Sequence, residues 1–162
     1  MKVYTIGHST RSLEELLELL KKFGIKRVID VRRFPSSKHF PWFNKEFLAQ
    51  KLAEENIDYI HLEKLGGYRK EGYKNFTKTE EFEEGIGELK ELIKEKISVI
   101  MCSEFKWWKC HRRYIAQRLV QDGIKVVHIL TERRIQEHKL KDPEIEKKMK
   151  SKIKCDRFFE KP

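Results

Sequence analysis

A chain of 162 residues is long enough for one domain with a buried core. Hydrophobic residues make up 39% of it and charged ones 38%, with 36 Lys and Arg against 26 Asp and Glu and a formal net charge of +10. No apolar run nears the roughly 18 residues of a membrane span, and Met1-Lys2-Val3-Tyr4 has no signal-peptide architecture, so a cytoplasmic protein with no membrane partner is expected.

The charge excess is mostly Lys and Glu, a bias that fits a thermophilic source. Cys102, Cys110 and Cys155 are an odd number of cysteines, which argues against a secreted disulfide framework. A Cys102–Cys110 bridge stays open, since hyperthermophiles do keep intracellular disulfides. Residues 133–162 hold 11 Lys and Arg against 6 Asp and Glu, which is half of the net excess in a fifth of the chain. Such a tail suits nucleic acid or another polyanion, and it equally suits a solvated, charge-rich helix.

Residues 3–6 read as a first strand. Ser12 and Glu15 form a capping box before a helix whose Leu13, Leu16, Leu17, Leu20 and Phe23 fall at helical spacing, with Gly24 as its C-cap. Residues 26–31 make a second strand and complete a βαβ unit. Residues 32–43 are an aromatic, basic, proline-marked loop. Asn44 opens a helix to about residue 55 with Phe47, Leu48 and Leu52 inward, and residues 58–62 form a third strand. After a loop over 66–78, Thr79 caps a helix to about residue 96, and residues 98–102 form the fourth strand. Residues 110–121 make a helix with Ile115, Ala116 and Leu119 inward, stopped at Gly123, and residues 125–130 form a fifth strand. Pro143 opens a last helix near residues 144–153. This alternation predicts a single α/β domain over residues 1–132, with a mostly parallel five-stranded sheet and helices on both faces. A basic, helical C-terminal extension is expected over residues 133–162.

Ligands of open α/β sheets bind beyond the carboxyl ends of the strands. Four of those ends carry polar or reactive residues here. Gly7, His8 and Ser9 come after the first strand, and Asp30, Arg32 and Arg33 surround the end of the second. Gly66 and Gly67 come after the third, and Cys102, Ser103 and Glu104 after the fourth, with Cys110-His111-Arg112-Arg113 close behind. The His8 imidazole suits proton transfer near neutral pH, and equally the capping of its own turn. Asp30, inside an apolar strand, needs a partner, and Arg32 on the same face supplies one. That pair is either structural or a rigid grip on a phosphate or carboxylate. Cys110 falls at an expected helix N-terminus beside Lys109, His111, Arg112 and Arg113, a setting that favours thiolate. It suits a nucleophile, a redox thiol, a metal ligand or, with Arg112, an anion site. Cys102 reads most simply as a small core residue.

The chain has no Cys-x-x-Cys, no P-loop and no Gly-x-Gly-x-x-Gly. Trp108 and Ala116 stand six residues after Cys102 and Cys110, which excludes a Cys-x5-Arg phosphatase loop. The spacing of His8, Cys102, Cys110 and His111 matches no familiar zinc site, so neither a metal nor a cofactor is expected. Residues 32–43 and Phe105-Lys106-Trp107-Trp108-Lys109 interleave rings with cations, as surfaces for single-stranded nucleic acid do. Phe34 and Phe43 read as packing of a loop over the sheet edge, and Trp107 and Trp108 as ligand contacts.

The segments 4–12, 28–35, Phe43-Asn44, Leu65-Gly66-Gly67, Cys102-Ser103-Glu104 and Cys110-His111-Arg112-Arg113 resemble, in order, the motif series of the domain-of-unknown-function 488 family. The resemblance runs from about residue 3 to residue 130 and implies an α/β domain whose motif residues share one site. It implies no established reaction. Phe105 to Lys109 looks like an insertion relative to the family pattern.

The expected function is an enzyme acting on a nucleic acid, nucleotide or other phosphorylated ligand at the C-terminal sheet edge. In it His8 is acid or base, oriented by Asp30 or Glu104. Arg32 and Arg112 bind the anion, and Cys110 is a nucleophile or a helix-terminus contact. Gly7, Ser9, Gly66, Gly67, Cys102, His111, Trp107 and Trp108 complete the ligand site. A non-catalytic nucleic-acid-binding module is the second reading, and a thiol redox or metal-sensing domain the third. The sequence does not set the oligomeric state.

Overall fold

A computed structural model describes residues 1–156, so the last six residues of the basic extension lie outside the described part. Five strands run parallel: β1 (Lys2–Gly7), β2 (Arg27–Asp30), β3 (Asp58–His61), β4 (Ser98–Cys102) and β5 (Lys125–Thr131). The sheet has six strands, not five. β6 (Arg134–Glu137) returns antiparallel beside β5, with Ile135 opposite Ile129, and the order is β3-β2-β4-β1-β5-β6. Arg-Ile-Gln-Glu is an exposed edge strand with a single apolar residue, so hydrophobic periodicity had nothing to register there.

Successive strand residues point to opposite faces, and each face finds helices to cover it. On one face Tyr4, Ile6, Val28, Val99, Met101 and Val127 meet Leu16, Leu19 and Leu20 of α1 (Leu13–Lys22) and Leu48 and Leu52 of α2 (Lys45–Glu54). On the other, Val3, Ile29, Ile100 and Val126 meet the short α3 (Tyr73–Phe76), α4 (Glu80–Glu95) and α5 (Arg112–Gln121). The predicted signals act locally. Ser12 Oγ accepts from the Glu15 amide at 3.1 Å and Glu15 bonds back. Thr79 caps α4 by accepting from the Phe82 amide at 3.2 Å. Asn44 stands at the start of α2, but its side chain accepts from the Ser37 amide instead of capping. α5 begins at Arg112, two residues later than expected, which leaves Cys110 and His111 ahead of the helix.

The described part of the extension lies on the core. α6 (Pro143–Met149) buries Ile145 against Trp107 and Leu130, and Ile153 and Cys155 join the cluster beneath α4 and α5. β4 leaves toward α5 on one face, while its neighbours β1 and β2 leave toward α1 and α2 on the other. Chains that part to opposite faces open a crevice at the strand ends, and Cys102 closes β4 at that point.

Candidate functional site

Backbone contacts shape the crevice first. A Cβ on Gly7 would stand 1.8 Å from the Glu104 carbonyl oxygen, so only glycine lets the end of β1 run against the loop after β4. The amides of His8 and Ser9 then donate to Cys102 O and Ser103 O, both at 2.9 Å, and carry the β1–β4 pairing two residues further. A Cβ on Gly67 would lie 2.8 Å from Cys155 Sγ and 3.0 Å from His111 Nδ1. These glycines admit other parts of the chain to the crevice.

Asp30 and Arg32 form a buried pair. Arg32 Nη2 donates to Asp30 at 2.7 Å and to Phe43 O at 2.8 Å, and Arg32 Nε donates to Asp30 at 3.0 Å. Tyr59 donates its hydroxyl proton to the same carboxylate, a partner no motif pointed to. His8 stacks on Phe43 at 4.2 Å and its Nδ1–H donates to Ser9 O at 3.0 Å, leaving Nε2 to accept from Arg32 at 3.4 Å. Burial first, then the Arg32 charge, lowers its pKa to about 4, so the ring is neutral at pH 7. His8 sits behind Arg32 as an acceptor.

The sulfurs meet at the end of β4. Cys102 Sγ and Cys110 Sγ are free thiols 2.7 Å apart. Arg112, 1% exposed, donates through Nε to Cys102 Sγ at 3.0 Å, through Nη1 to Thr5 Oγ1 at 2.9 Å, and through Nη2 to Glu104 O. Its backbone N–H, the first of α5, points to Cys110 Sγ at 3.4 Å. Among the described residues no carboxylate pairs with this guanidinium, because Glu104 turns to Lys154 at 2.9 Å. A buried cation needs a counter-anion, and the sulfur pair is the ionisable group in contact with it. Burial pushes the Cys102 thiol well up despite Arg112, so Cys102 keeps its proton. His111 donates Nε2–H to Val31 O at 2.7 Å, and its Nδ1 lies 3.4 Å from Cys110 Sγ and 3.3 Å from Cys155 Sγ. Burial opposes charge on this ring, but Cys110 and the Val31 carbonyl outweigh it and raise its pKa.

Behind Arg112 runs a buried polar chain. Thr5 Oγ1 lies 2.6 Å from His128 Nδ1, His128 Nε2 3.0 Å from His138 Nδ1, and His138 Nε2 2.8 Å from Gln117 Oε1. The Gln117 oxygen accepts, which sets one direction for the chain: Thr5 O–H to His128, His128 N–H to His138, His138 N–H to Gln117. Trp107 lies flat on His128 at 4.3 Å and is fully buried. The expectation that Trp107 contacts a ligand is corrected by this placement: the core covers its ring, and no face is left for a base. Trp108 is half-buried, with Lys148 Nζ 4.2 Å above its ring.

A cavity of about 320 Å³ opens over the sulfurs. Cys102, Cys110, His111 and Cys155 line it, with Arg32, Arg33, Lys109 and Lys154 among its cations. Phe34, expected to pack, is 57% exposed and stacks on Tyr68, centroids 5.9 Å apart, at the cavity wall. Tyr68, at a positive φ of 55°, and Cys155 are lining residues that the strand-end reading missed, since both arrive from distant segments. Thus the fold brings Arg32, Cys102, Glu104, Cys110 and His111 to one cavity. It holds His8, Asp30 and Arg112 in the layer behind and sets Trp107 apart. Among the described residues no group of three or more His, Cys, Asp or Glu is placed to hold a metal ion.

A family model described as Domain of unknown function DUF488 matches residues 12–119, and the chain belongs to that family. The matched part includes Asp30, Arg32, Gly66, Gly67, Cys102, Glu104 and Cys110 to Arg113. No curated protein and no solved structure matches the chain.

Proposed function

We propose that the protein is an enzyme that acts on a small phosphorylated ligand, with Cys110 as nucleophile and His111 as the acid–base partner. The observation that carries this reading is Arg112: a fully buried guanidinium with no carboxylate partner among the described residues, held against two thiols at a cavity wall. Negative charge on the sulfur pair satisfies that cation. His111 Nδ1, 3.4 Å from Cys110 Sγ, makes the nucleophile–base contact of covalent catalysis. Sγ forms its bond to the ligand's electrophilic centre as the bond to the leaving group breaks, and protonated His111 gives the leaving group its proton. Arg33 and Lys109, which make no ion pair among the described residues, supply charge for a phosphate. The Phe34–Tyr68 stack offers a face for a planar group.

At about 320 Å³ the cavity lies at the lower end of the roughly 300–1,000 Å³ range of small-molecule sites, which favours a metabolite or mononucleotide over a polymer. The test is a thermal-shift screen of the reduced protein against nucleotides and phosphorylated metabolites, with turnover assays on the hits. Cys110→Ser is expected to keep binding and lose turnover by at least about a thousandfold. Wild-type turnover in Cys110→Ser defeats the assignment. Salt-sensitive binding of short single strands with no small-ligand hit would favour the nucleic-acid module instead.

A further inference from the structure

The sulfur pair carries a second consequence, one that rests on the same thiols as the proposed catalytic site but not on any ligand. We infer that Cys102 and Cys110 form a peroxide-sensitive dithiol that closes to a reversible disulfide, with Cys110 the sulfur attacked first and Cys102 the resolving thiol. The two sulfurs already stand 2.7 Å apart, inside van der Waals contact, on segments fixed in different ways. Cys102 ends a central strand of the sheet, and Cys110 comes directly after the short helical turn Trp107–Lys109. Closing to the bond length of about 2.05 Å shortens the existing contact by about 0.65 Å.

Three features set the order of events. Cys110 Sγ accepts from the Arg112 amide at the start of α5 and faces the Cys102 sulfur, so it is placed to hold negative charge. Cys102 also contacts the Glu104 carbonyl at 3.7 Å, where an S–H donates and a thiolate would not. Cys155 Sγ contacts His111 Nδ1 at 3.3 Å and makes no sulfur–sulfur contact among the described residues, so the third thiol stands outside the exchange. Both reacting sulfurs line the cavity, which gives a small oxidant a route to them although each is nearly buried.

The chemistry balances with hydrogen peroxide as the oxidant. The Cys110 thiolate attacks one peroxide oxygen, giving Cys110 sulfenic acid and hydroxide. The Cys102 thiol then attacks that sulfur; the S–S bond forms, the S–O bond breaks, and the hydroxyl leaves as water with the proton from Cys102. Two thiols are oxidised for each peroxide reduced. The disulfide carries no charge, so oxidation also removes the counter-anion of Arg112 and consumes the proposed nucleophile.

The experiment treats the full chain with a small excess of hydrogen peroxide, quenches it, and titrates free thiols after denaturation, with peptide mapping by mass spectrometry. The count is expected to fall from three to one, with the bridge mapped to Cys102–Cys110 and reversed by dithiothreitol. In Cys155→Ser it is expected to fall from two to none. In Cys102→Ser, Cys110 is expected to stop at a sulfenic acid that dimedone traps. Three free thiols after treatment, or a bridge that maps to Cys155, overturns the inference. Ligand binding and turnover in the presence of dithiothreitol report on the proposed function separately. A protein that bridges but binds no phosphorylated ligand keeps this inference and loses that one, and the reverse outcome does the opposite.

Discussion

At Arg112 a full positive charge is surrounded by two sulfurs, a threonine hydroxyl and carbonyl oxygens. Arginine stays charged even when buried, so the compensation falls to its neighbours. Thr5 is held in turn by His128, and His128 by Trp107 stacked on its face, so residues far from the cavity fix where the guanidinium points. Replacing Arg112 by Met keeps much of the volume and removes the charge. We expect Arg112→Met to slow alkylation of Cys110 by iodoacetamide at pH 7 by about tenfold or more, because the cation beside the sulfur pair is gone. An unchanged rate would show that the charge does not act on the sulfur. His8 makes the complementary point. Its place after β1 suggested acid–base work, but burial and the nearby Arg32 charge keep it neutral, stacked on Phe43. The imidazole beside Cys110 is His111.

At the scale of elements, β5 depends on the C-terminal segments that pack against it. β6 pairs along its outer edge, α6 buries Ile145 against Leu130 and Trp107, and Ile153 and Cys155 fill the face beneath α4 and α5. The basic charge of residues 133–156 is therefore carried by segments that also pack. A chain ended at Glu132 would expose β5 as an open edge and uncover Trp107, which in turn holds His128 and Thr5. Burial of a large aliphatic side chain is worth roughly 2–3 kcal/mol, so loss of Ile145 and Ile153 alone removes much of the stability of a marginal domain. We expect the 1–132 fragment to melt at least about 10 °C lower or to aggregate. Matching melting curves for fragment and full chain would contradict this account of the extension.

Over the whole molecule, the buried imidazoles set a limit on acid stability. Burial lowers the pKa of both His8 and His138 to about 4, against an ordinary value of 6.5. The unfolded chain therefore binds more protons than the folded one between those values. The stability from keeping both rings neutral is complete above pH 6.5 and is lost as pH falls toward 4, up to about 3 kcal/mol for each ring. Urea midpoints measured at pH 7 and pH 4.5 check this, and His138→Gln is expected to flatten the dependence; equal midpoints for the wild type would mean that the rings are not held neutral. The sequence by itself determined the βαβ order, the capping box at Ser12, the stop at Gly24 and the strand ends that carry Asp30 and Cys102, because these depend on local periodicity and on single-residue backbone preferences. Only the tertiary structure decided that Trp107 is core, that Gly7 and Gly67 admit neighbouring chain, that β6 exists, and that His111 rather than His8 stands beside Cys110. Those outcomes turn on which distant surfaces meet. Tyr59, Tyr68 and Cys155 reach the site from three separate segments, and no spacing along the chain encodes the sheet order that brings them there.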